Sequence, residues 1–319
     1  MLEGFLVMDK PAGITSHDVV AAVRAVTGVK KVGHTGTLDP FATGVLPLAL
    51  GRCTRLIQYL DESIKVYEAT VRLGSATDTG DPTGKVVREA ALPEADEGDV
   101  LDVLDRFLGE QEQIPPAYSA VKVKGKPMYH YARKGQQVEA KPRRITIHAL
   151  DMLSYDRETL RIQITCSRGT YARVLADDIA VALGSAGHLE TLSRPRSGPF
   201  YLDDALDMGA LSEIVSAEPG LPWADVLLAR KKGERVPWKP RADVQQALAD
   251  RVLSPLRCLS DLPLADVGPE QARRVRNGGM LPPPPRGVGA GQRYLVVAGD
   301  DLVAVAEHGP RGGKALRVM

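Results

Sequence analysis

A single carboxylate, Asp39, lies in the stretch GHTGTLDPFATGVLPLALGRCTR (33–55), among glycines, threonines and aliphatic residues and with no second acid in the stretch. Pro40 biases the residue before it away from the helical region, and Gly36 and Gly44 bracket the loop, so the carboxylate stands on a sharply defined turn. By local chemistry alone such an aspartate caps an Asx turn, as residues before proline commonly do. The alternative is a reaction served by one isolated carboxylate held in place by its loop.

Other residues could act with it. Tyr67 alternates with Ala69, Val71 and Leu73 along YEATVRLG, on the buried face of a half-buried strand, either as a core residue or as a ring delivered into a pocket. His34 follows Gly33 at the mouth of the Asp39 loop, where a lone histidine is commonly a turn or surface residue. Lys10 in MDKPAG sits at a strand end, either solvated or in contact with the loop and a ligand. Between Ile114 and Arg144 there are eight Lys or Arg residues and one acid, interleaved with Tyr118, Tyr129 and Tyr131. Glu89 to Asp105, by contrast, holds seven acids and no base. Charge segregated in this way fits a protein that meets a polyanion on one side only.

The elements that must position these groups are legible from periodicity. GFLVMDKPAGITSHDVVAAVRAVTG reads as a strand, a turn at Pro11 and Gly13, and a helix with Ser16 as N-cap, stopped by Gly28. The turn-rich TDTGDPTGKV leads to helical periodicity over 99–108, ending at Gly109. RRITIHALDML and LRIQITC are strands, the second running through SRGTY into the helix ARVLADDIAVALG. Strands and helices alternate without a strict βαβ rhythm, so a mixed α/β architecture is expected. The polar, proline-containing KKGERVPWKPRADVQQ from Lys231 reads as an insertion or linker, and RYLVVAG and LVAVAEHG mark a small β-rich module from residue 251.

At 319 residues, 44% hydrophobic and 25% charged, the composition is that of an ordinary soluble globular protein. Three scattered cysteines and six dispersed histidines suggest neither a disulfide framework nor a metal site. No basic leader opens the chain and no apolar run approaches the roughly 20 residues a bilayer requires, so a cytoplasmic protein is expected. No phosphate-cradling glycine loop or dinucleotide fingerprint is present.

DKPAGITSHDVV, GHTGTLDPFATGVLPLALGRCTR, IPPAYSAVKVKGKPMYHYAR and CSRGTYARVLADDIA, in that order and at these spacings, resemble the TruB family of RNA pseudouridine synthases over roughly residues 4 to 200. The tail resembles the PUA domain that follows in that family. The fold this implies is the pseudouridine synthase fold, mixed α/β (α+β) around a bent mixed or antiparallel central sheet. It would occupy 1–250, with a thumb-like RNA-binding insertion at 114–144, followed by a PUA-like RNA-binding domain at 251–319. The implied activity is tRNA pseudouridine-55 synthesis in the T stem-loop, by a monomer, without metal or organic cofactor.

Such an enzyme breaks the uracil–ribose bond, turns the base and rejoins it through carbon 5, so no second carboxylate is needed as in a two-carboxylate glycosidase. The family's aspartate falls on Asp39, acting either as nucleophile on sugar or base, or as the base that removes a ribose proton to give a glycal. An ionised aspartate in a pocket that excludes water needs a cation beside it, and the family places Arg173 there. Tyr67 falls on the tyrosine that stacks on uracil and helps remove the carbon-5 proton. His34 is implied to contact RNA near the flipped base. Lys10, Lys122, Lys124, Lys126, Tyr129 and Arg133 complete the expected RNA contacts. Pro195 in SRPRSGPF departs from the family pattern, leaving a uracil-contacting residue there open. Two other readings share these motifs: a guide-RNA-dependent synthase subunit, and an RNA-binding or folding helper.

Overall fold

The computed structural model describes residues 2–61, 63–136, 138–215, 242–310 and 312–319. Most of the polar segment that begins at Lys231 lies outside the described residues.

The apolar strand β1 (Gly4–Lys10) turns at Pro11–Gly13 into helix α1 (Ser16–Thr27), whose Val19, Val20, Val23 and Val26 are all buried. Gly28 ends the helix in the left-handed region at φ 68°. Thr15, rather than the expected Ser16, is the N-cap, because its extended backbone lets it form a reciprocal capping box with Asp18. Ser16 is buried and its hydroxyl is used on the Asp39 loop instead.

Strands β2 (Val32–His34), β3 (Thr43–Leu50) and β4 (Lys65–Leu73) follow, then the hairpin β5 (Ser75–Thr77) and β6 (Val86–Glu89). Helix α2 (Glu97–Asp105) starts two residues before the expected position, since Asp96 and Asp99 form a second capping box. Gly109, expected to stop that helix, opens strand β7 (Gly109–Gln113). A small hairpin, β8 (Lys122–Val123) and β9 (Lys126–Pro127), precedes α3 (Met128–Ala132). Next come β10 (Arg143–Tyr155), β11 (Thr159–Cys166), α4 (Ala172–Ala182), β12 (Gly187–Ser197), β13 (Phe200–Tyr201) and α5 (Met208–Val215). After α6 (Ala242–Ala249), β14 (Val252–Leu253) and α7 (Pro255–Cys258), the chain builds β15 (Leu264–Asp266), α8 (Pro269–Arg276), β16 (Arg293–Ala298), β17 (Asp301–Gly309) and β18 (Gly312–Val318).

The central sheet runs β14-β1-β3-β12-β4-β11-β10-β7. Its pairs are antiparallel except where β12 meets β3, parallel at Ser193 with Thr43 and Arg194 with Gly44. Bulges in β10 and β12 bend it. One face packs under α1, α2 and α4 through Leu46, Leu48, Val71, Ile162, Leu175 and Ile179. The other carries Phe5, Val7, Val45 and Ala49, which share a core with Leu295, Val297, Leu302 and Val305 of the C-terminal sheet β15-β16-β17-β18. Val252 and Leu253, which sequence places in the tail module, pair with β1 as an edge of the catalytic sheet.

Cys53, Cys166 and Cys258 are buried thiols, pushed by desolvation up to about 12, 11 and 12 respectively. Among the described residues, no helix is long and apolar enough to cross a membrane.

Candidate active site

Asp39 lies on the turn between β2 and β3, and its own carbonyl accepts from Ala42 N at 3.1 Å. Two buried side chains hold this turn from behind. Ser16 Oγ donates to Leu38 O at 3.0 Å and accepts from Leu38 N at 2.8 Å, pinning both backbone groups of the residue next to Asp39. Lys10 Nζ donates to Pro11 O and Ile14 O at 2.8 Å each and to Pro40 O at 3.2 Å.

Lys10 is 0% exposed, so the RNA contact expected of it is corrected: its ammonium has no surface to offer a phosphate and ties the Pro11–Ile14 turn to the Asp39 loop. Burial brings its pKa down to about 8, with Asp39 nearby opposing the shift. Lys10→Met, which keeps the stem and removes the donors, leaves three buried carbonyls unsatisfied. The variant should lose about 3 kcal/mol or more of stability in a denaturant melt. Its folded fraction should bind RNA as the wild type does, whereas a phosphate-contacting lysine would lower affinity with little change in the melt.

Arg173, in the first turn of α4, approaches Asp39 side-on, with Nε 2.9 Å from Oδ2 and Nη2 3.4 Å from Oδ1. The arginine is 4% exposed at its side chain and the aspartate 34%, so the cation is enclosed while the carboxylate keeps one side open. Nη1 donates to Thr79 O at 2.6 Å and Nη2 to Tyr118 O at 2.8 Å, which binds the β5–β6 turn and the start of the basic segment to the same guanidinium. Desolvation raises the Asp39 carboxyl above its usual range, with Arg173 opposing and Asp81 reinforcing the shift. Arg173→Lys replaces a planar fork with a point charge that cannot reach both carboxylate oxygens and both carbonyls. A fall of roughly a hundredfold in single-turnover rate is expected, and a wild-type rate would separate Arg173 from the chemistry.

Tyr67 is buried in β4 with its backbone register partner Ile164 on β11. On the other side, the β4–β12 register slips between Ser193 and Arg196, so Tyr67 faces the irregularity made by Arg194 and Pro195. Proline has no amide hydrogen and is tolerated at such a point, which accounts for Pro195. Desolvation raises the phenol's pKa, while Arg194, hydrogen-bonded to it, opposes the shift. A cleft of about 720 Å³ borders the loop, lined among others by Pro40, Phe41, Thr70, Thr191 and Leu192. His34 ends β2 opposite Leu48 and is half-buried.

The hairpin β8–β9 turns through Lys124 and Gly125, at φ 49° and 81°, so that Lys122, Lys124 and Lys126 crowd its exposed tip. Tyr129 is 40% exposed, with the Arg133 guanidinium 5.4 Å from its ring centroid. These residues form a surface group separate from the Asp39, Tyr67 and Arg173 cluster.

Three contributors escaped the sequence reading. Asp81, in what reads as a plain turn, accepts from Thr79 Oγ1 at 2.8 Å, Thr83 N at 2.9 Å and Thr83 Oγ1 at 2.6 Å, shaping the turn that offers Thr79 O to Arg173. The spacing of threonines and aspartates in TDTGDPTG is its signal. Ser16 and Arg194 left none, because nothing local shows that they reach across the fold to the loop.

The sequence pattern described as "TruB family pseudouridylate synthase (N terminal domain)" matches residues 24–172, which contain the Asp39 turn, Tyr67 and the basic segment. The tRNA pseudouridine synthase B of Geobacter sulfurreducens is 42% identical over 314 residues, covering 96% of this chain and 93% of that protein. This chain belongs to the TruB family of pseudouridylate synthases. Another relative, the tRNA pseudouridine synthase B of Symbiobacterium thermophilum, is 50% identical over 214 residues, 66% of this chain and 72% of its own. Among solved structures, a chain of a Cbf5-Nop10-Gar1 complex is 24% identical with a TM-score of 0.70, covering 99% of this chain and 84% of that one. At that identity the likeness speaks for the fold alone. For a TruB-family chain the Asp39–Arg173 pair is the acid-and-cation arrangement that the fold is expected to carry.

Proposed function

We propose that this chain isomerises a uridine of the tRNA T stem-loop, at the position the family resemblance implies, to pseudouridine. The observation that carries the reading is the ion pair of half-open Asp39 with enclosed Arg173 on a doubly pinned loop beside a cleft. A carboxylate so placed stays charged in a water-poor site and faces the ligand with one side free. Tyr67 supplies a ring and a hydroxyl in the same cluster, suited to stacking on a flat base. Base and sugar are both retained in the product, so the reaction needs no metal or organic cofactor. The curated relatives at 42% and 50% identity carry tRNA synthase names, which favours the stand-alone enzyme over the guide-RNA-dependent subunit.

Rejoining the base through carbon 5 expels the proton on that carbon. Purified protein should therefore release tritium from a tRNA transcript made with 5-tritiated uridine, without added guide RNA, and a missing release at saturating protein would refute the assignment. The β8–β9 tip and Tyr129 with Arg133 are read as the thumb-like RNA contact, His34 as a neighbour of the flipped nucleotide, and the C-terminal sheet as the PUA-like module holding the tRNA away from the chemistry. Changing Lys122, Lys124 and Lys126 together to glutamine should weaken tRNA binding. The log-affinity against log-salt slope should flatten by about one unit or less per lost phosphate contact. An unchanged slope would remove this hairpin from the interface.

A further inference from the structure

Arg194 is 1% exposed, the largest of the fully buried side chains. Its Nε donates to Val45 O at 3.0 Å, Nη1 to Thr37 O at 3.4 Å and Nη2 to Gly36 O at 3.1 Å. The phenol of Tyr67 is a further partner. No carboxylate is among these hydrogen-bond partners. A desolvated cation facing neutral oxygens is costly to keep, and a well-packed apolar side chain would fill the space more cheaply. The close approach is built into the backbone as well. Gly44 adopts φ 102° opposite Arg194, where a Cβ would come within 2.5 Å of Arg194 O. A Cβ on Gly36 would come within 2.8 Å of Lys65 Nζ and 3.7 Å of Arg194 Nη1. Two glycines of the loop thus make room for the arginine.

Donor and acceptor accounting gives the contact with Tyr67 a direction. Guanidinium only donates, so the phenol oxygen must be the acceptor, and the hydroxyl hydrogen is turned away from Arg194. One guanidinium therefore sets the facing of the phenol on β4 and the backbone of Gly36–Thr37, two residues before Asp39.

We propose that Arg194 is a positioning residue for the isomerisation, holding Tyr67 and the Asp39 loop in register so that the phenol hydroxyl and the carboxylate address the same base. This rests on the pseudouridine synthase reading above. It differs from a purely structural role in one respect: part of its effect passes through the Tyr67 oxygen and must vanish when that oxygen is removed.

The test compares Arg194→Met and Arg194→Lys in wild-type and Tyr67→Phe backgrounds, using tRNA binding, single-turnover tritium release across pH, and a thermal melt. The lysine variant keeps a cation without the fork, so a folded variant is at hand if the methionine one unfolds. In the wild-type background, affinity should stay within about threefold while the rate falls roughly a hundredfold. In the Tyr67→Phe background, the further loss should shrink to about tenfold or less, the share owed to the loop. For a folded Arg194→Met, any rise of rate with pH should move to higher pH, because the phenolate loses its cation. Equal fold-losses in both backgrounds, or a loss accounted for by weaker binding, would overturn the role given to Arg194. No tritium release from the wild type would instead overturn the functional reading on which it rests.

Discussion

Asp39→Asn should abolish tritium release while leaving tRNA affinity within a few fold. The amide keeps the shape of the turn, and Arg173 keeps Thr79 O and Tyr118 O as acceptors, so the enclosed guanidinium is not stranded and the fold survives. What disappears is the only ionised group of the cluster that can act as nucleophile or base. A loss of about four orders of magnitude or more in single-turnover rate is the scale for removing such a group. Readily measured turnover in this variant would end the assignment of Asp39. The wild-type pH profile adds a check. Desolvation raises the Asp39 carboxyl, so activity that needs the carboxylate should be lost, as pH falls, at a higher pH than an ordinary aspartate would dictate.

Deleting residues 251–319 should prevent the remainder from accumulating as a folded protein. The cut removes β14 from the edge of β1 and strips the apolar face of the catalytic sheet, where Phe5, Val7, Leu56 and Phe200 share a core with Leu295, Val297, Leu302 and Val305. Exposing those four catalytic-side residues costs roughly 1.5–3 kcal/mol each, a sum comparable with the roughly 5–15 kcal/mol that holds a domain folded. Low soluble yield and the absence of a cooperative melt are the expected results. A soluble truncated protein with a sharp transition would show that the C-terminal sheet is an appendage and that the shared core adds little. Full-length protein with a single substitution on the tail side, such as Leu295→Ala, should lose about 2–5 kcal/mol in the same melt.

The strands and helices around the site were legible because their signals are local. Alternation along Tyr67–Leu73 marked β4, the valines of α1 recur at helical spacing, and Pro40 with its flanking glycines marked the Asp39 turn. Motif order was enough to bring Asp39, Tyr67 and Arg173 forward as one constellation, although they lie far apart in the chain. Helix ends were read less well at Ser16 and at the start of α2. There, capping depends on which hydroxyl or carboxylate turns back onto the backbone, and neighbouring residues compete for that role.

Tertiary structure alone decided what the charged residues do. Lys10 reads from sequence as a strand-end cation available to RNA, and only the closure of the Pro11–Ile14 turn over it converts it into a buried brace for Pro40. Arg194 sits beside the site because β12 pairs parallel to β3 and slips register against β4, a consequence of sheet order that no local pattern encodes. The tail's β-strands are plain in the sequence. That their apolar face packs on the back of the catalytic sheet is not, because burial of a hydrophobic face is non-directional and the chain does not record which partner covers it.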